Sequence, residues 1–217
     1  TISFNEIPSN LRVPFVAVEF DSSRSSQGPA LLAYRALIIG QKIAAGSAAA
    51  NSLHRVTSAD QLIPLAGRGS MLHRQAIAWF AVNRMTETWV GVLSDDGAGV
   101  AATGTITVTG PATADGTIAL YLGGERVTVG VSSGDVQNDI ATDIAAALNA
   151  AGDLPVTAAA ATNVVTWTFR HKGLTGNSYD VRHSYRDGDA LPTGVALAIV
   201  AASGGTRPKS ASSSAGT

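Results

Sequence analysis

The chain has 217 residues, enough for one large domain or two small ones, and enough to bury a core without covalent staples. Its net charge is −1 and it has no cysteine, so it lacks the charge footprint of a nucleic-acid or anionic-membrane binder and can form no disulfide or thiolate-metal site. Only 14% of the residues are charged against 45% hydrophobic, which suits a chain that hides surface against other subunits as well as it suits a small Ala- and Gly-rich monomer.

The first residues, TISFNEIPSN, lack the basic-then-apolar order of a secretory signal. No run of about 18 apolar residues occurs, so no membrane insertion is expected. Residues 1–12 read as a polar arm. Residues 13–20, VPFVAVEF, read as an extended strand. Pro14 has no N–H to give to a ladder, so this is an edge strand or one lent to a neighbouring chain. Ser22–Gly28 is a polar loop.

Ala36–Ile39, closed by Gly40, predicts a short buried strand, and Ala44–Ala50 a loop of small residues. Ser58 with Gln61 has the spacing of a capping box, and Gly67 and Gly69 stop the helix it opens. Ser70 caps a second helix running to about Arg84, with Leu72, Ala76, Trp79, Phe80 and Val82 on one broad face. Trp89–Leu93 is another apolar strand. The order strand, helix, helix, strand predicts an α/β layer with a parallel pair.

Ser94–Ala102 reads as a linker to a second module. Thr105–Thr109 and Thr117–Leu122 alternate aliphatic residues with Thr. Gly123-Gly124 is a two-residue turn of the primed type that returns the chain as Arg126–Val131. Asp135 is the expected cap of a helix whose Ile140, Ile144, Ala147, Leu148 and Ala151 share one face, with Gly152 at its end. Pro155–Ala161 and Val164–Arg170 form a hairpin around Thr162-Asn163, and Tyr179–Tyr185 adds a strand. The module is ββ-α-ββ, one antiparallel sheet with a helix on one face. Val195–Ala202 is expected to rejoin the first layer, which makes residues 100–190 an insertion; beyond Gly204, TRPKSASSSAGT is a low-complexity tail.

No catalytic constellation emerges. His54, His73, His171 and His183 are scattered without HxH or HxxxH spacing, which speaks against a metal site. Gly67-Arg68-Gly69-Ser70 could cradle an anion ahead of a helix, but lacks a phosphate-loop ending and reads better as a helix stop and a new cap. Ser70 lies in no GxSxG elbow. Asp95-Asp96-Gly97 and Asp187-Gly188-Asp189 lack the later ligands of a calcium loop and read as turns. Trp79, Trp89 and Trp167 sit in apolar elements and read as core.

Three segments resemble the Mu-type contractile phage tail sheath family: ISFNEIPSNLRVPFVAVEFDSSR with ALIIGQ, GRGSMLHRQ at 67–75, and the module from GTITVTG through LYLGGERVTVGV and IATDIAAALNA to HKGLTGNSYDV. Members of that family run to roughly twice this length, so the resemblance implies the N-terminal part of a sheath subunit. It implies subunits stacked in hexameric rings and a helical array around a tail tube, with baseplate and tail terminator as further candidate partners. It implies arms that add strands to neighbouring sheets, and contraction that drives the tube through the host envelope. The expected place is the virion, after assembly in the host cytoplasm, and no enzyme activity, cofactor or metal is implied. Val13, Phe15, Val16, Val18 and Phe20 are the expected inter-subunit strand.

The expected fold is α+β: residues 1–20 an arm and linking strand, 21–100 with 190–204 the α/β portion, 101–189 the inserted ββ-α-ββ domain, 205–217 a disordered tail. The rival reading is an adhesin-like binding module contacting the host surface or another tail protein. It requires Tyr121, Trp167, Phe169, Tyr179 and Tyr185 to gather on an exposed face.

Overall fold

The computed structural model describes residues 34–95 and 97–207. The chain divides into two compact units, Thr1–Tyr34 and Arg35–Thr217, and the elements described here lie in the second. The predicted arm, the strand over 13–20 and the loop 22–28 lie outside the described residues.

The first part of the unit is a three-stranded mixed sheet with helices on one face. Its strands are β1 (Arg35–Gln41), β2 (Ser52–Val56) and β3 (Glu87–Leu93). β3 is central, parallel to β1 and antiparallel to β2. Parallel neighbours need a long crossover. Here it contains β2, the short α1 (Leu62–Ala66) and α2 (Met71–Val82). Ile38, Val56, Val90 and Val92 from the sheet meet Leu62, Ala66, Leu72 and Ala76 from the helices in one small core. Lys42 pins the small-residue loop by donating from Nζ to the carbonyls of Gly46 (3.0 Å) and Ala48 (2.7 Å).

Ser70 caps α2 as expected, its Oγ accepting from the His73 N–H at 3.2 Å. The helix stops at Val82, which is 86% exposed rather than on the buried face. The expected capping box is displaced by one residue. Gln61 Oε1 accepts from the Thr57 N–H at 3.0 Å and its amide donates to Thr57 Oγ1, while Ser58 makes no side-chain cap.

The second part holds two antiparallel sheets and a helix. One sheet has the order β10-β4-β8-β7, from β10 (Ala196–Ser203), β4 (Ala101–Thr109), β8 (Val164–Lys172) and β7 (Val156–Ala161). The other has the order β6-β5-β9, from β6 (Glu125–Val131), β5 (Gly116–Leu122) and β9 (Val181–His183). Both glycines of the β5–β6 turn have positive φ, 56° and 90°, the conformation a primed two-residue loop demands. The helix α3 (Gln137–Ala150) places Ile140, Ile144 and Leu148 in one core with Ile106, Ile118, Leu120, Val165 and Trp167 of the two sheets. Each such fully buried aliphatic side chain contributes about 1.5–3 kcal/mol. Asp135 does not cap α3: its carboxylate accepts from the Ser132 N–H at 2.7 Å, and Val136 is the N-cap.

Three expectations are corrected here. The module is two sheets sharing a core, because β4 pairs with β8 and β10 rather than with β5. Val195–Ala202 does not rejoin the first layer: β10 runs antiparallel to β4, from Ala196↔Thr109 to Ser203↔Thr103, so it closes an edge of the second part. The start of the expected tail is also tied down. Gly205 and the Asn177 amide exchange hydrogen bonds of 2.8 and 2.9 Å, and Thr206 bridges Val100. Residues 208–217 lie outside the described residues.

Candidate assembly surfaces

Strand periodicity divides the first sheet into two faces. Ile38, Val90 and Val92 face the helices, and the registered neighbours Leu37↔Trp89, Ile39↔Gly91 and Leu53↔Gly91 face the other way. Among the described residues nothing covers that second face: Leu37, Ile39, Leu53 and Leu93 are 55%, 53%, 62% and 40% exposed. Gly91 leaves a shallow gap between Ile39 and Leu53, and an added Cβ would meet them at 3.4 and 3.6 Å. One end of the face is charged. Glu87 is shared by Arg35 (3.1 Å) and Arg55 (3.6 Å) and accepts from the Trp89 indole N–H at 3.0 Å. That indole bond, with the two guanidiniums, holds the Glu87 carboxyl below the usual range. Beside it, the outer edge of β1 and helix α2 bound a groove of about 510 Å³ lined by Leu37, Ile39, Ala78, Trp79 and Val82.

A second surface is internal, where the layer meets the sandwich. The two apolar clusters do not merge. Hydrogen bonds and ion pairs cross between them: Arg68 Nε to Asp153 Oδ1 at 2.8 Å, Arg74 Nη2 to Glu125 Oε1 at 2.9 Å, and the Met71 N–H donating to His171 Nε2 at 2.8 Å. Gly69, at φ 76°, presses against this seam, and a Cβ there would lie 2.5 Å from the Leu154 carbonyl. The Arg68 hydrogen bond holds the Asp153 carboxyl low, and burial pushes His171 down, against the opposing pull of Asp95. Burial raises the Tyr179 phenol to about 12. It borders a cleft of about 240 Å³ with Met71, Arg74, Pro155, Phe169 and His171.

The 187–189 turn also bears on the second part. The Asp189 carboxylate accepts from the Tyr121 hydroxyl and from Arg126 Nη2 (3.0 Å), and these bonds hold it low. Asp187-Gly188-Asp189 is thus a turn that anchors the 184–189 loop to β5 and β6, as a turn reading requires. Asp95 likewise accepts from the Lys172 N–H, at 3.1 and 3.3 Å to its two oxygens. Asp96 lies outside the described residues.

The expected strand residues Val13, Phe15, Val16, Val18 and Phe20 lie outside the described residues. The four histidines are kept apart. His54 pairs with Ser52 Oγ at 2.8 Å, His73 accepts from the Gly69 N–H at 3.3 Å, and His171 serves the seam. Among the described residues no three His, Asp or Glu side chains converge on a possible metal position. Trp167 is fully buried, but Trp79 and Trp89 are half-buried at the first sheet's margins rather than in its core. Of the aromatic residues an adhesive face would need, Tyr121, Trp167 and Phe169 are buried, Tyr179 packs against Trp167 and Phe169 at 6.0 and 5.4 Å, and Tyr185 alone is exposed.

Sequence reasoning missed β2 and the open face. The inward residues of β2 are Ser52, His54 and Val56, so its alternation carries almost no hydrophobic signal.

Residues 97–196 match the family described as phage tail sheath protein beta-sandwich domain. The chain is 39% identical, over 199 residues and 92% of its length, to the Mu-like prophage FluMu tail sheath protein of Haemophilus influenzae. It spans 41% of that protein's length. The tail-sheath resemblance read from the sequence therefore stands.

Proposed function

We propose that this chain, whose residues 97–196 form a phage tail sheath β-sandwich domain, is a structural subunit of a contractile tail. Its activity is association: with neighbouring sheath subunits around the tail, and with the tail tube inside them. Its place is the virion, after assembly in the host cytoplasm, and its work is mechanical rather than enzymatic. The observation that carries this reading is the 39% identity to a tail sheath protein over nearly the whole chain.

The segment 13–20 is the strand offered to a neighbour, with Val13, Phe15, Val16, Val18 and Phe20 as its apolar residues. Backbone pairing across subunits gives affinity while tolerating rotation of the bodies it links, which suits a sheath that shortens. The test removes residues 1–20 and follows assembly by light scattering and electron microscopy in the presence of full-length sheath subunits. Incorporation should be lost while circular dichroism and thermal midpoint stay unchanged. Unfolding of the body on deletion, or undiminished incorporation, would refute the strand's role.

A further inference from the structure

The open face of the first sheet carries an inference about its partner. An all-parallel sheet is ordinarily covered on both faces, and one of the two strand pairs of this sheet is parallel. Here α1 and α2 cover one face, and Leu37, Ile39, Leu53, Trp89 and Leu93 are left on the other. The residues continue past the covered limit of the core: Leu53 is 62% exposed and sits directly across from Gly91, the only position on that face without a side chain. A shallow pocket of about 180 Å³ lies there, lined by Ile39, Leu53, Gly91 and Leu93. The charged end is unbalanced, because Arg35 and Arg55, 68% and 63% exposed, share the single carboxylate of Glu87. A partner fitting this face is apolar along its length and acidic at the Arg35–Arg55 end.

The tail sheath relative aligns with 92% of this chain and carries more chain, since the matched stretch is 41% of its length. We infer that the open face of β1, β2 and β3 is the docking site for further tail-sheath polypeptide, an amphipathic helix with an acidic end drawn from the part the relative carries beyond the matched stretch. The inference rests on the tail-sheath reading. It makes the first sheet the middle layer of three, with helices on both sides.

The absence of cysteine makes the test direct. Leu53→Cys places a thiol on the open face, and Val136→Cys, at a 49% exposed position ahead of α3, serves as the control. Each variant is prepared in this chain and in this chain fused to the remaining polypeptide of the H. influenzae relative, and maleimide labelling rates are compared. A third arm supplies that remaining polypeptide as a separate co-expressed chain, so that a faulty fusion joint cannot decide the outcome. Labelling at Leu53→Cys should slow at least about tenfold in the fused or co-expressed form, with Val136→Cys unchanged, and Arg55→Glu should restore fast labelling. Equal rates at Leu53→Cys in both forms, with the control unchanged, overturn the inference. So does slow labelling of the short chain alone that tracks a doubled mass, since a second copy is then the cover. Protection that disappears on removing residues 1–20 assigns the face to the N-terminal segment and also overturns it. Loss of filament incorporation on that deletion with Leu53→Cys still protected leaves this inference intact, so the two proposals fail separately.

Discussion

Replacing Ile144 by Ala tests whether the two cores of the folded unit are independent. Ile144 is fully buried on α3, in the cluster with Ile140, Leu148, Ile118 and Trp167, and belongs to no cluster of the first sheet. Truncating a buried Ile to Ala costs about 2–5 kcal/mol, from lost transfer energy and the cavity left behind. Taking about 3 kcal/mol, the opening equilibrium of the sandwich rises roughly a hundredfold. Native-state hydrogen exchange reads this amide by amide. Amides of β4, β5, β8 and α3 should exchange about a hundred times faster, while those of β1 and β3 change less than about threefold. The difference arises because the two buried apolar clusters are separate and the seam between them is crossed by Arg68–Asp153, Arg74–Glu125 and the Met71–His171 bond. Equal acceleration in both parts would refute the reasoning, because the seam would then couple them into one cooperative unit. Acceleration below about tenfold in the sandwich would refute the packing of α3.

Three further outcomes follow from local contacts. Ser70→Ala removes the cap on the His73 N–H and should cost about 1 kcal/mol, seen as a lower urea midpoint with an unchanged slope. Gly69→Ala forces an L side chain to φ 76° and a Cβ against the Leu154 carbonyl, so it should cost at least about 1 kcal/mol and speed exchange of the Met71 amide; an unchanged midpoint would refute the close approach. His73 and His171 are both held below the ordinary histidine value by burial, so the unfolded chain takes up protons first as pH falls. Their contribution is complete above about pH 6.5 and is lost as pH falls from there through the lower folded values; urea midpoints that do not fall between about pH 7.5 and 5.5 would refute it.

Elements set by local rules were legible. Ser70 is a cap, Gly123-Gly124 and Thr162-Asn163 are hairpin turns, and Ile140, Ile144 and Leu148 are a buried stripe, because each depends on residues within one or two turns of chain. What failed was pairing over distance. β4 and β5 are neighbours in sequence, and one antiparallel sheet containing both is the reading their pattern gives. They lie in different sheets, and β4 instead pairs with β8, where Gly104 leaves room for its cross-strand neighbour Trp167: a Cβ at Gly104 would lie 2.4 Å from the indole. Val195–Ala202 is apolar enough for either part, and only the ladder with β4 decides between them. The seam was equally invisible, since Arg68 and Asp153 lie 85 residues apart.

The reading of β1 is instructive in the opposite direction. Four apolar residues in a row, Ala36–Ile39, are the pattern of a strand buried on both faces. In the described structure only one face is buried, with Ile38 turned to the helices and Leu37 and Ile39 outward. Alternation would have cost the sequence nothing if the outer face met water, and β2 shows the point: Arg55 is tolerated on that face, while Leu53 sits across from Gly91. The apolar residues are concentrated where the registers of three strands meet, around Gly91, and stop where Glu87 gathers Arg35 and Arg55. A face organised about a central gap and a charged boundary has the layout of a packing surface rather than of scattered exposed aliphatics. Selection acting on the sheet's own stability would not need that layout, so the pattern belongs to whatever covers the face.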